Sequence, residues 1–150
     1  PMTMTNITQK LHLLGIPETH HRLIQLLPLI EVAWSEGMVA ERERATIWAY
    51  ARQHGLLDEQ AERLLEGWLD LPLTERQFAL AHRILVTLTT LPPDAEHHLP
   101  LATLDRVLAA CQLTAQASGG IFNTGAISST EASALDSLTR SITTLRERTA

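Results

Sequence analysis

Apolar residues recur along this chain at intervals of three and four, and no stretch alternates strictly enough to read as a strand, so the pattern predicts an all-helical protein. A first short helix is expected over residues 6–14, with Ile7, Leu11 and Leu14 on one face and Gly15 as its stop. A second carries Leu23, Leu26, Leu27, Ile30, Ala33 and Trp34 inward and ends at Gly37; Pro17 suits its first turn, and Pro28 should kink it or divide it in two. A third helix over 40–54 uses Ile47, Trp48 and Ala51 and stops at Gly55. Asp58 is placed to cap a fourth, whose inner face is Ala61, Leu64, Leu65, Trp68 and Leu69 and which Pro72 ends. Thr74 and Gln77 form a capping box at the head of a fifth, with Phe78, Ala81, Leu85 and Leu88 inside. After a linker over 92–98, Pro100 restarts a sixth helix with Leu101, Leu104, Leu108 and Cys111. Ser128 and Glu131 cap a seventh, with Leu135, Leu138, Ile142 and Leu145.

Two of the inter-helix turns share a pattern. Gly37-Met38-Val39-Ala40-Glu41-Arg42-Glu43 and Gly125-Ala126-Ile127-Ser128-Ser129-Thr130-Glu131 both read Gly-x-(Val/Ile)-x-x-x-Glu. In each, the glycine can take the left-handed conformation that ends a helix, the branched residue can pack inward, and the glutamate falls in the first turn of the next helix. The expected architecture is a single-domain bundle of about seven helices built from two related helix-loop-helix halves. Residues 1–21 form an N-terminal segment with a short helix, and 22–150 the main helical domain.

At 150 residues and 45% hydrophobic, the chain suffices for one well-buried core. Its formal net charge is −5 and its 12 basic residues are scattered, so the basic stripe of a nucleic-acid binder is missing. The single cysteine, Cys111, lies in an apolar helical pattern; it excludes a disulfide framework and reads as a small buried hydrophobe. No apolar run approaches the ~18 residues of a membrane span, and residues 1–4 lack a basic region followed by an apolar one, so a soluble, cytoplasmic protein is expected. Pro1, ahead of Met2, is expected to be a cloning remnant.

Candidate chemistry is sparse. Glu36, Glu41 and Glu43 bracket the first glycine turn and could present hard oxygens to a divalent cation, although their spacing does not match an EF-hand. The competing account is structural: Glu131 completes a capping box with Ser128, and Glu43 gains from the positive end of its helix even though Ala40 cannot cap. Among seven histidines, the Glu18-x-x-His21 spacing and the run Glu96-His97-His98 suggest metal ligation. One copy of that spacing and a proline-bounded linker fall short of a di-iron set, and solvated surface histidines are the better reading. His82 is expected to be partly buried with one hydrogen-bond partner. No nucleophile elbow, activated cysteine or phosphate loop is present, so no catalytic residue is assigned. Trp34, Trp48 and Trp68 fall on or beside apolar stripes. A partner groove is expected at Trp34, with Ile121 and Phe122 as its wall, because apolar side chains on surface loops commonly mark binding sites.

The segment Leu27-Pro28-Leu29-Ile30-Glu31-Val32-Ala33-Trp34-Ser35-Glu36-Gly37-Met38-Val39, then Glu43, Gly55-Leu56 and Leu65-Glu66-Gly67-Trp68-Leu69, resembles the bacterial tellurite-resistance TerB-like family. So does Ala117-Ser118-Gly119-Gly120-Ile121-Phe122 followed by Gly125, Ile127-Ser128 and Glu131. The resemblance spans roughly residues 22 to 145. It implies an all-helical bundle of two similar halves, found in tellurite-resistance and stress operons and in a membrane-anchored DnaJ-like co-chaperone, with cation binding by acidic residues or protein docking as the role. The first acidic-glycine pair of that family falls on Glu36-Gly37. Its second acidic position falls on Gly119-Gly120, which carries no carboxylate. The resulting expectation is a non-enzymatic helical module that docks a protein partner or responds to tellurite or stress, with a divalent cation as the one cofactor in view. The alternative is a metal-binding protein or carboxylate-bridged metalloenzyme with Glu and His ligands.

Overall fold

The computed structural model describes residues 4–117 and 127–149 of the chain, and all the regular structure among them is helical. The first helix, α1 (Met4–Leu13), buries Ile7 and Leu11 one turn apart. It closes where Ile16 N–H donates to the Leu11 carbonyl at 2.9 Å around Gly15, whose φ of 78° is the left-handed value the reversal needs.

Pro17 adopts extended backbone and launches a 3₁₀ helix, Glu18–Gln25, which passes directly into α2 (Leu26–Trp34). The change of helix type comes before Pro28, not at it. Pro28 therefore falls in the first turn of α2, where a missing N–H costs little. Leu26, Leu27, Pro28, Leu29, Ile30, Val32 and Ala33 are all buried, so α2 has almost no solvent face and is the central element. It packs against α3 (Glu41–Gln53), α5 (Glu75–Thr90), α6 (Ala102–Ala117) and α7 (Ser129–Thr149).

The local signals that bound the outer helices act as their chemistry requires. Asp58 Oδ1 accepts from the Ala61 N–H at 2.8 Å and starts α4 (Glu59–Asp70). At the head of α5, Gln77 N–H donates to Thr74 Oγ1 at 3.1 Å and Thr74 N–H to Gln77 Oε1 at 2.9 Å, a complete capping box. Gly55 (φ 65°) follows α3, and Gly37 (φ 86°) lies in the turn after α2 with its N–H on the Trp34 carbonyl at 2.9 Å. The expectation for the matching Gly125 lies outside the described residues.

The linker between α5 and α6 is compact: Ala95 N–H bonds the Pro92 carbonyl, His98 N–H that of Ala95, and Leu99 N–H returns to Leu88. One contiguous core joins α1 through α7, with Cys111 fully buried and its thiol pushed well above the ordinary value by burial. Among the described residues, no helix is long and apolar enough to cross a membrane.

Candidate functional site

The turn after α2 and the start of α7 meet. Ser128 donates its hydroxyl to Glu36 Oε1 at 3.2 Å, although 92 residues separate the two. Each of the two helices beginning here folds a glutamate back onto its own N-terminus. In α3 the Ala40 N–H donates to Glu43 Oε1 at 2.9 Å; alanine offers no acceptor, so this is half of a capping box. In α7 the box is complete: Glu131 N–H donates to Ser128 Oγ at 3.1 Å, and Ser128 N–H reaches Glu131 Oε1 at 3.4 Å.

These caps bring three carboxyl groups together. The Glu131 carboxyl lies close enough to Glu36 and Glu43 to act on both, and Glu43 and Glu131 are only 3% and 1% exposed. Three negative charges so close together, two of them shielded from water, repel. Burial, followed by the charges of Glu131 and Glu36, pushes the Glu43 carboxyl up to about 7 against the opposing Ala40 N–H. Glu36, which stays exposed, is raised chiefly by its hydrogen bond to Glu131. A proton or a cation relieves the cluster. Glu41, expected beside Glu36 and Glu43, is instead exposed and lines a shallow depression with Arg44, Trp48 and Glu62. The third carboxylate is Glu131, expected only as a cap.

A second polar group sits where α2, α5 and α7 meet. His82 Nε2 lies 2.6 Å from Glu31 Oε1 and its Nδ1 2.9 Å from Ser141 Oγ, so the ring has two partners rather than the single one expected. The order carboxylate, imidazole, hydroxyl resembles a nucleophilic triad. Ser141, however, lies within α7, where its neighbours' backbone N–H groups are committed to the helix and no oxyanion hole can form. The group clasps α2, α5 and α7 together. It borders an open cleft of about 520 Å³ lined by Trp34, Pro72, Leu73, Phe78 and Ala134 among others. Trp34 is half-buried, its indole N–H on the Trp68 carbonyl at 2.8 Å. Trp48 is also half-buried, beneath the Arg52 guanidinium, while Trp68 is buried. Ile121 and Phe122, the expected wall of the groove, lie outside the described residues.

The expectation of solvated histidines is overturned at His97, which is 2% exposed. Glu18, Glu96 and His97 come together with one ligand atom from each lying within 4.8 Å of the others. The two segments that sequence reading treated as separate, weak metal candidates thus form one group, because the linker folds back onto the 3₁₀ helix. Comparison with protein-family models, with curated proteins and with solved structures finds no match for this chain.

Proposed function

We propose that the chain is a non-enzymatic, TerB-like helical module whose Glu36, Glu43 and Glu131 hold a hard divalent cation where the two copies of the glycine-glutamate motif meet. The observation that carries this reading is that the buried carboxyls of Glu43 and Glu131 and the exposed Glu36, which accepts from the Ser128 hydroxyl, act on one another where the turn after α2 meets the start of α7. An all-oxygen set of this charge suits Mg2+, Ca2+ or Mn2+ rather than softer ions. The caps hold Glu43 and Glu131 in place without using all their lone pairs, so cation binding and helix starting are compatible. In this reading the motif is a true internal repeat, and the protein works as a cation-dependent component of a tellurite or stress response.

Thermal unfolding of the full chain, stripped with chelator and titrated with Mn2+, Ca2+ or Mg2+ at pH 7.5, tests the proposal. A ligand that binds only the folded state raises the midpoint with its concentration, by about 2.7 kcal/mol of stability at a hundred times its Kd. The wild type should show this rise, and Glu36→Gln and Glu131→Gln should lose it. An unchanged midpoint in the wild type would contradict the proposal.

The cleft at Trp34 favours a second reading, protein docking. Its wall combines Trp34, Leu73 and Phe78 with the rim carboxylates Glu31 and Glu75, and Leu71, 76% exposed, stands next in sequence to its Pro72. Trp34 fluorescence and backbone shifts on adding proteins co-purified from the host would report occupancy there. Shift changes that avoid Trp34, Leu73 and Phe78 would rule it out.

A further inference from the structure

We infer that Glu18, Glu96 and His97 form a second metal site, of a different class, which takes a zinc-like divalent ion and pins the α5–α6 linker to the 3₁₀ helix. The juxtaposition is tertiary: Glu18 opens the 3₁₀ helix, while Glu96 and His97 lie in the linker after α5, and one ligand atom from each falls within 4.8 Å of the others. His97 is the anchor. Its side chain is 2% exposed, its Nδ1 is buried with no hydrogen-bond partner, and its Nε2 lies 3.4 Å from Glu18 Oε1. A buried imidazole nitrogen held against carboxylates from two segments is a ready ligand position for a divalent ion.

The chemistry of the set selects the ion. The imidazole nitrogen is a borderline ligand beside two hard carboxylates, and it tips the set toward Zn2+ and Co2+ over Mg2+ and Ca2+. Ligand atoms around a tetrahedral zinc stand about 3.4 Å apart at ordinary bond lengths, a contraction that rotamer changes of the exposed Glu18 and Glu96 can supply. Three protein ligands leave at least one coordination position for water or an exogenous group. Supporting structure is present. The His21 ring packs edge-on against His97 with centroids 4.7 Å apart. This site shares no residue with the Glu36, Glu43 and Glu131 cluster, and neither reading depends on the other.

The test is competition of the full, untagged chain, after chelator treatment, with a chromophoric chelator for Zn2+, together with the visible absorption of the Co2+ form. The wild type should take up one equivalent of Zn2+ at this site, and Co2+ should give the intense bands of a four- or five-coordinate ion. Glu18→Gln and Glu96→Gln, at exposed positions that leave the core intact, should each weaken binding at least tenfold, and the double variant should abolish the Co2+ bands. His97→Ala should do the same; because it empties a buried position, the two glutamate variants carry the test if it fails to fold. Glu66→Gln, at an exposed position outside both groups, should leave Zn2+ binding unchanged. Wild-type affinity in the Glu18→Gln/Glu96→Gln protein would place the ion on other histidines and overturn the inference, as would the absence of any Zn2+ uptake by the wild type.

Discussion

Glu43 is the residue on which charge and folding are most directly coupled. Its carboxyl rises from the ordinary 4.5 to about 7 on folding, chiefly through burial. Between those values the folded state binds more protons than the unfolded chain, so the contribution of this group falls as pH rises through the window. With chelator present, wild-type stability should decline from pH 5 to pH 7.5 by at most roughly 3 kcal/mol. Glu43→Gln keeps an acceptor for the Ala40 N–H but carries no charge, and it should flatten that decline; urea unfolding across the pH range measures both. A variant that declines as steeply as the wild type would show that the cluster is not strained by charge. Glu131→Ala removes a cap worth about 1 kcal/mol. Because its carboxyl also raises those of Glu36 and Glu43, the substitution should shift the pH profile as well.

At the scale of elements, the helix boundaries rest on local chemistry, and that is why they were legible in the sequence. Asp58, Thr74 with Gln77, and Ser128 with Glu131 each act within four residues of themselves, so their roles need no knowledge of the fold. Thr74→Ala should cost about 1 kcal/mol. Gly37→Ala should cost a similar amount, about 1 kcal/mol, through the φ of 86° alone, since a Cβ there would meet nothing within 4 Å. Chemical denaturation of both variants checks these figures, and an unchanged midpoint for Gly37→Ala would mean that the turn relaxes. The 3₁₀ helix was not legible: Pro28 drew attention to itself, whereas the change of helix type at Gln25–Leu26 follows from how the preceding turn packs. The candidate sites were only half legible for the same reason. Glu36 and Glu43 lie close in sequence, but their meeting with Glu131, and that of Glu18 with His97, depend on tertiary pairing across about 80 to 95 residues. Spacing along one helix carries no trace of such pairing.

Across the whole molecule, α2 is enclosed by four helices, so most core positions report on a single cooperative unit. Leu29, fully buried, should cost about 2–5 kcal/mol on truncation to alanine. Cys111 is buried too deeply to react in the native state, and its labelling by a thiol reagent should track global unfolding; rapid labelling of the folded protein would reveal local opening around α6. Both carboxylate groups tie distant parts of the chain together. Glu36 and Glu43 meet the start of α7, and Glu18 meets the linker before α6, so an ion at either place would act on the packing of the bundle rather than on one loop. The central claim concerns the first of them. Calorimetric titration of Mn2+ into the chelator-stripped full chain at pH 7.5, with Zn2+ held out, measures it directly. Saturable binding of one equivalent that is lost in Glu43→Gln, with the fold retained by circular dichroism, is the predicted result; no binding by the wild type, or equal binding by Glu43→Gln, would contradict it.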